Sequence, residues 1–226
     1  MQLISDLYGM KIFIVAATNK ELELIQHSGL TTKFRSIGLQ STGVGSIAAS
    51  FAITELISTQ SPELIIQIGI AGSFSDNLTL GSAVVVGREV IADLGVIEAD
   101  GYKDIFELGL AEYNSFPYVN GSLVNIHDDL LGMTKLHKAT GLTVNEISTD
   151  EANIQLFKNK YLAEIESMEG SALHYCCIMK KTPFIQIRGI SNIVGERDKS
   201  RWKINEAIRA ATNTCNELVN NLLNPS

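Results

Sequence analysis

The sequence predicts an α/β protein with three layers, in which helices cover both faces of a mixed, mainly parallel central sheet. Apolar runs of strand length, such as 11–17 and 64–70, alternate along the chain with segments of helical length. This alternation is typical of parallel sheets that are buried on both faces. The chain has 226 residues and lacks a linker-like run of Pro, Ser or Gly. We therefore predict one domain over residues 10–226, preceded by a short extension over residues 1–9.

The first half of the chain predicts four strands and two helices. Continuous apolar character predicts the strands, and Thr18 is a suitable N-cap for the first helix. In the second helix, small residues such as Ala48 and Ala52 permit close packing on the sheet. The predicted strands are 11–17, 39–45, 64–70 and 82–87, and the predicted helices are 21–25 and 46–58.

The second half begins with a long excursion over residues 93–117, where hydrophobic periodicity is weak. Excursions of that length in a compact domain usually serve a function or an interface, so we expect short elements there. Regular alternation then resumes. The predicted strands are 142–147, 162–168 and 184–190, and the predicted helices are 150–157, 171–180 and 204–223.

Composition and charge argue against several classes of protein. The net charge is −7 without a basic stripe, whereas nucleic acid binding needs clustered Lys and Arg. No apolar run reaches the roughly 18–20 residues that span a bilayer, and the N-terminus lacks the features of a signal peptide. Three cysteines, an odd number, favour buried thiols in a reducing cytoplasm. The four histidines have no ligand spacing, so neither a metal nor another cofactor is expected.

The most informative stretch runs from Ser167 to Asn192. Glu169 opens a helix, and Asn192 follows a buried strand. Ligands of open α/β sheets bind at the carboxyl ends of strands, so these two side chains can converge on one small molecule. A carboxylate suits paired hydroxyls, and a neutral amide suits a base that both donates and accepts hydrogen bonds. The pattern therefore predicts a purine nucleoside as the partner of this chain.

Other candidate residues have two interpretations each. The segments 43–45 and 69–72 are glycine-rich and follow strands, so they are either tight turns or places where the backbone approaches a ligand. Glu21 is either a solvated helix carboxylate or a functional one. Arg188 and Asn192 can form a structural hydrogen-bonded pair. Trp202, the only tryptophan, lies among charges and suits either a surface patch or a lid over a ligand.

Taken together, these residues resemble the nucleoside phosphorylase and nucleosidase superfamily. The resemblance covers nearly the whole chain from Met10 onward and implies a phosphorylase-like three-layer fold. It is carried by Lys11–Ala17 followed by Glu21, by Gly43-Val44-Gly45 and Gly69-Ile70-Ala71-Gly72, and by Met168-Glu169 and Arg188-Gly189-Ile190-Ser191-Asn192, all in the family order.

The resemblance implies a role for each matching residue. Glu21 would orient or deprotonate the attacking water, and Glu169 would grip the ribose hydroxyls above Met168. Asn192 stands at the base-recognition position, and Trp202 would flank the sugar and its 5′ substituent. Further substrate contacts are predicted at Ile70, Ala71, Gly72, Ile147, Arg188, Ser191 and Arg197.

Two departures from the family pattern narrow the expected function. The adenine-cleaving nucleosidases carry Asp where this chain has Asn192, and an amide favours a 6-oxopurine because it donates to O6 and accepts from N7–H. The phosphorylases bind phosphate with arginines, where this chain has Gly81 and the segment 18–21. Water is therefore the expected nucleophile. The group that protonates N7 stays open between Asp198 and solvent.

Three further stretches, 92–96, 166–170 and 191–198, resemble the futalosine hydrolase branch of the superfamily, which belongs to an alternative route to menaquinone. The 5′ group of that substrate ends in a carboxyphenyl ketone, so Arg197, Lys199 or Arg201 could pair with its carboxylate. The alternatives are a methylthioadenosine/S-adenosylhomocysteine or aminofutalosine nucleosidase, a phosphorylase, and a nucleoside-binding protein without catalysis.

The resemblance also implies self-association. Family members usually form homodimers or larger homo-oligomers in which a neighbour completes the site. We expect that contact within the excursion 93–117, especially at Tyr102 and Phe106.

Overall fold

One mixed sheet forms the centre of the protein, as seen in a computed structural model that describes residues 9–99 and 101–224. The predicted extension over residues 1–9 lies outside the described residues except for Gly9. The first half of the chain contributes β1 (Ile12–Ala16), α1 (Asn19–His27), α2 (Leu30–Lys33), β2 (Ile37–Ser41), α3 (Ser46–Gln60), β3 (Leu64–Ser73) and β4 (Ala83–Ile91).

The second half begins with a short hairpin that forms its own two-stranded sheet, and then returns to the central sheet. Its elements are β5 (Gly95–Glu98), β6 (Gly101–Asp104), β7 (Leu123–Val124), α4 (Asp128–Met133), β8 (Lys138–Thr143), α5 (Glu151–Tyr161), β9 (Ile165–Ser167), α6 (Gly170–Lys180), β10 (Phe184–Ile193), a 3₁₀ turn at Lys199–Arg201 and α7 (Ile204–Leu223).

Five strands of the central sheet pair in a closed ring. Going round the ring, β3 pairs with β10, β10 with β4, β4 with β8, β8 with β9, and β9 returns to β3. The strands β1 and β2 extend the sheet from the first half of β3. Most of these pairings are parallel, while β10–β4 and β3–β9 are antiparallel. The predicted mixed, mainly parallel sheet is therefore confirmed, and its partial closure brings β9 beside the end of β3.

Helices cover both faces of the sheet because the apolar side chains of β1 point alternately to the two sides. Ile12 and Ile14 pack in a buried cluster with residues of α1 and α7. Val15 packs on the opposite side with residues of α3 and α6. This alternation follows from the two-residue period of a strand and produces the three predicted layers.

Several predicted boundaries were wrong. The strand predicted at 142–147 is β8, which lies four residues earlier, and residues 144–149 form the loop that follows it. The strand predicted at 39–45 ends at Ser41, and the strand predicted at 162–168 is reduced to β9. Leu162 caps α5 with a φ of 51°, so it belongs to the turn before β9. The prediction also missed α2, α4 and β7.

The three cysteines are free and buried, as predicted. No helix within the described ranges combines the length and the apolarity of a bilayer-spanning segment.

Candidate active site

A cavity of about 290 Å³ opens where β1, β3 and β10 end. This edge of the sheet is the place where α/β folds bind ligands. All but one of the predicted site residues line the cavity, namely Glu21, Ile70, Ala71, Gly72, Ile147, Met168, Glu169, Ser191, Asn192, Arg197 and Trp202.

Glu21 is held in a fixed position by the start of α1. Its Oε2 accepts hydrogen bonds from the Thr18 backbone N–H at 3.0 Å and the Thr18 hydroxyl at 2.8 Å. The Thr18 hydroxyl in turn accepts from the Glu21 N–H, which completes a capping box. The Ile70 N–H lies 3.4 Å from the other carboxylate oxygen. The helix cap therefore fixes the Glu21 carboxylate where it lines the cavity, in a residue that is only 8% exposed.

Glu169 lies at the N-terminus of α6, and both oxygens of its carboxylate also accept hydrogen bonds. Its Oε1 accepts from the Gly45 N–H at 3.1 Å, and its Oε2 lies 3.3 Å from Arg188 Nη1. Gly45 belongs to one of the predicted glycine-rich segments, so that segment contributes a backbone donor to the site. Two fixed contacts leave the remaining lone pairs of the carboxylate directed toward the cavity.

Arg188 does not line the cavity, although the sequence predicted a substrate contact there. It lies behind Glu169 with 1% exposure, and its Nη2 donates to Gln67 Oε1 at 2.9 Å. Gly69 makes this arrangement possible, because a Cβ there would lie 2.5 Å from Arg188 Nη1 and 3.1 Å from Glu21 Oε1. Arg188 thus acts on the site through Glu169.

Asn192 reaches the cavity through an irregularity in β10. The register of β10 against β3 shifts between Ile190 and Asn192, so Ser191 is an extra residue, and bulges of this kind redirect side chains. The Asn192 Nδ2 donates to the Ile193 carbonyl at 2.9 Å, and its Oδ1 lies 2.7 Å from the Ser191 hydroxyl. These contacts fix which end of the amide is which. One N–H and one lone pair remain for a ligand.

Trp202 and Arg197 form one wall. The indole N–H of Trp202 donates to the Glu196 carbonyl at 3.0 Å, and the Arg197 guanidinium carbon lies 5.8 Å from the centroid of the indole. By contrast, Arg201 is mostly exposed and pairs with Glu196 at 2.9 Å. Arg197 is therefore the member of the three predicted basic residues that both lines the cavity and contacts the tryptophan.

Glu166 also lines the cavity, although the sequence pattern predicted no role for it beyond its place in the stretch 166–170. It lies in β9 with 6% exposure, and its Oε1 accepts from the Ser148 N–H at 3.1 Å. Burial raises the pKa of this carboxyl, and hydrogen bonds from Ser148 partly oppose that shift. A charged residue between Ile165 and Ser167 in a short strand was the available signal, and the same kind of signal predicted a role for Glu169.

The family model described as the phosphorylase superfamily matches residues 11–224. The chain belongs to the phosphorylase superfamily. This membership agrees with the order of motifs along the sequence and with the architecture of the sheet.

Relatives of this chain within the superfamily include futalosine hydrolases and 5′-methylthioadenosine/S-adenosylhomocysteine nucleosidases. A futalosine hydrolase of Thermus thermophilus is 30% identical over 181 residues, which are 79% of each chain. A 5′-methylthioadenosine/S-adenosylhomocysteine nucleosidase of Colwellia psychrerythraea is 25% identical over 95% of this chain and 96% of its own. A crystal structure of that type of nucleosidase from the same organism, in complex with adenine, has a TM-score of 0.80 at 21% identity and covers 94% of this chain and 96% of its own.

The structure also places the predicted proton donor, the predicted oligomer contact and the position where phosphorylases have an arginine. Asp198 caps the 3₁₀ turn, where it accepts from the Ser200 N–H at 3.0 Å, and it does not line the cavity. Tyr102 and Phe106 are half-buried against their own chain: the Tyr102 hydroxyl donates to the Ala92 carbonyl, and Phe106 packs on aromatic neighbours. Gly81, at a φ of +86°, lies beside Glu206 rather than beside a cation.

Proposed function

We propose that this protein is a futalosine hydrolase, which uses water to cleave the N-glycosidic bond of futalosine and releases hypoxanthine and dehypoxanthine futalosine for menaquinone biosynthesis. The observation that carries the proposal is Asn192, which lines the cavity with one amide N–H and one carbonyl lone pair left free. The relative from Thermus thermophilus, whose name is futalosine hydrolase, supports the same substrate.

Recognition of the base rests on the neutral amide. Asn192 would donate to O6 of the base and accept from N7–H as the base departs, which stabilises the leaving group without an acid at this position. The proton on N7 would come from solvent, because Asp198 does not line the cavity. Adenine carries an amino donor at position 6, which would face the amide N–H and leave both groups unpaired. A buried mismatch of this kind rejects the wrong base strongly.

The two carboxylates divide the remaining work. Glu169 would accept hydrogen bonds from the ribose hydroxyls, and its negative charge would favour the oxocarbenium-like sugar of the transition state. Glu21 would orient the attacking water and take up its proton, a contribution that is typically about 10²–10⁴-fold. A protein that only binds a nucleoside would need the first of these carboxylates but not the second.

The 5′ end of the substrate would lie against Trp202 and Arg197. The indole offers an apolar face for the carboxyphenyl ring, and the guanidinium offers paired donors for its carboxylate. Among the residues that line the cavity, the cations are Arg197 and Lys20. This small number supports water over phosphate as the second reactant, because phosphorolysis needs a cationic phosphate site.

We also propose that the protein works as a homodimer or a larger homo-oligomer in the cytoplasm. The helix α3 exposes Ile47 at 86% and Phe51 at 71%, and the preceding Val44 lines the cavity. An apolar surface continuous with the cavity supports a second copy that covers this edge of the site.

The main alternative is a methylthioadenosine/S-adenosylhomocysteine or aminofutalosine nucleosidase. The similarity to the nucleosidase of Colwellia psychrerythraea over 95% of the chain favours it. Asn192 argues against it, since an amide cannot deliver a proton to adenine N7.

Chromatography of the released base would separate these functions. The purified protein would be incubated with futalosine, aminofutalosine, methylthioadenosine or inosine, with and without phosphate. Hypoxanthine from futalosine at a rate independent of phosphate is the expected result. Adenine from methylthioadenosine as the main product would overturn the proposal, and release that requires phosphate would indicate a phosphorylase.

A further inference from the structure

Glu166 and Asn192 lie on either side of Gly72 in one row of the sheet. Asn192 on β10 pairs with Gly72 on β3, and Gly72 pairs with Glu166 on β9. Directly paired residues direct their side chains to the same face, and both Glu166 and Asn192 line the cavity. Adjacent strands are about 4.8 Å apart, so the two backbones are separated by roughly 10 Å.

The missing side chain of Gly72 keeps the space between them open. A Cβ at this position would lie 3.3 Å from Asn192 Nδ2 and 3.0 Å from a methyl group of Val194. Across the sheet, the row therefore consists of the Asn192 amide, the open space at Gly72 and the Glu166 carboxylate, in that order. A flat heteroaromatic ring with polar groups along one edge fits that pattern.

One carboxylate oxygen of Glu166 accepts no hydrogen bond from any described residue. The Ser148 N–H occupies Oε1, while Oε2 is buried and has no hydrogen-bond partner among the described residues. The Ser148 hydroxyl is likewise buried and forms no hydrogen bond of normal geometry within that part of the chain, so it does not satisfy Oε2. An ionised carboxylate only accepts hydrogen bonds, and a buried acceptor without a donor is costly. A ligand that brings an N–H to this oxygen would remove that cost.

The two kinds of purine differ at the atom that would face this oxygen. A 6-oxopurine carries a hydrogen on N1 and so donates there, whereas adenine N1 is an acceptor. We propose that Glu166 is a specificity-determining residue that accepts a hydrogen bond from N1–H of a 6-oxopurine while Asn192 recognises O6 and N7. This inference deepens the proposed function and rests on it.

Together Glu166 and Asn192 would form hydrogen bonds with three adjacent polar groups of the base, namely N1–H, O6 and N7. Adenine would then be mismatched twice, once at its amino group by Asn192 and once at N1 by Glu166. The second contact explains why a buried carboxylate lies in β9, between Ile165 and Ser167. It also gives Ser148 a function, because its N–H orients the Glu166 carboxylate toward the base.

Substitution Glu166→Gln tests this directly and preserves the size of the side chain. The Ser148 N–H would hold the amide oxygen of the glutamine, so its NH₂ would face the cavity and repel N1–H but donate to adenine N1. The ratio of kcat/KM for futalosine to that for aminofutalosine should fall at least tenfold. Glu164→Gln, which changes a carboxylate two residues away and outside the cavity, should leave that ratio unchanged. An unchanged ratio in Glu166→Gln would overturn the inference.

A binding measurement on the unaltered protein separates this inference from the proposed function. Calorimetry would compare hypoxanthine with 1-methylhypoxanthine, in which a methyl group replaces the N1 hydrogen. We expect at least tenfold weaker binding of the methylated base to the unaltered protein and a much smaller difference in Glu166→Ala. Equal discrimination in both proteins would overturn the role of Glu166 even if futalosine is hydrolysed. Failure to hydrolyse futalosine would remove the proposed function, while the two bases would still decide whether Glu166 recognises N1–H.

Discussion

Arg188 Nη1 lies 3.3 Å from Glu169 Oε2, and the two side chains are 2% and 7% exposed. The pair connects the interior of the sheet to the cavity, since Arg188 also donates to Gln67 while Glu169 faces the cavity. Removal of one member of such a pair leaves an uncompensated buried charge, which is far more costly than the loss of a surface ion pair.

Substitution Arg188→Met should therefore destabilise the protein strongly. We expect the free energy of unfolding to fall by about 3–5 kcal/mol, because the Glu169 carboxylate loses the cation that it contacts behind the cavity. Urea denaturation would measure the change. Arg209→Met, at an exposed position of α7, should change the same quantity by less than about 0.5 kcal/mol. A loss equal to that of the control would mean that the ion pair is not important for stability.

Glu21→Gln should reduce turnover by at least about 10²-fold and leave substrate binding near normal. The amide keeps the size of the side chain and can still accept from Thr18, but it cannot take a proton from water. Steady-state and single-turnover kinetics with futalosine would measure both effects. Glu23→Gln is the matched control, since Glu23 lies in the same helix and is exposed. Near-full activity of Glu21→Gln would remove Glu21 from the mechanism.

Asn192→Asp should move the preference of the enzyme toward aminopurine nucleosides. An aspartic acid can accept from the 6-amino group and protonate N7, whereas it offers no neutral donor to O6 when ionised. Competition between futalosine and aminofutalosine would give the ratio of kcat/KM values, with Asn213→Asp on the exposed side of α7 as control. If both variants keep the original base preference, Asn192 does not select the base.

The parts of the site that sequence could predict are those determined by local chemistry. Glu169 and Asn192 stood out because each polar residue followed a buried strand, and strands of a parallel sheet end at a common edge. The closed ring could not be predicted in this way. It depends on the antiparallel pairing of β9 with the end of β3, over only two residue pairs, and no local pattern encodes such a pairing.

The errors have a similar origin. The strand β8 begins with Lys138, a residue type that is uncommon in the strands of a central sheet. The aliphatic part of Lys138 packs over Gly87, so the strand starts at a charged residue that the hydrophobic pattern does not reveal. The apolar residues after it predicted a strand that instead became the loop containing Ile147 and Ser148. Because that loop was taken for a strand, the contact between Ser148 and Glu166 was missed as well.

Arg197→Gln should raise KM for futalosine at least tenfold while changing kcat little. The guanidinium is expected to bind the carboxylate at the 5′ end, which is remote from the bond that breaks, so its loss should weaken binding in the ground state and the transition state equally. Arg201→Gln is the matched control because Arg201 pairs with Glu196 on the exposed side. Equal Michaelis constants in all three proteins would exclude a role for Arg197 in binding the 5′ group.

Glu89 predicts a dependence of stability on pH. It is fully buried in β4, where its Oε1 accepts from the Thr143 hydroxyl at 2.8 Å and its Oε2 has no partner among the described residues. Burial raises the pKa of Glu89 from 4.5 to about 7, although Thr143 and Arg188 oppose the shift. Between these two pH values the folded protein binds more protons at this position than the unfolded chain. The contribution of Glu89 to the free energy of unfolding is therefore fully present below pH 4.5 and is lost as the pH rises through 7.

Glu89→Gln should remove this dependence, because an amide does not titrate. One pKa unit corresponds to about 1.4 kcal/mol, so the variant should gain on the order of 3 kcal/mol relative to the unaltered protein between pH 5 and pH 8. Urea denaturation at both pH values would measure the gain. The buried His174, whose pKa is lowered to about 3 mainly by burial, acts in the opposite direction but equally in both proteins. Glu217→Gln, at an exposed site of α7, should give a curve parallel to that of the unaltered protein. A constant difference between Glu89→Gln and the unaltered protein across this range would mean that Glu89 does not titrate there.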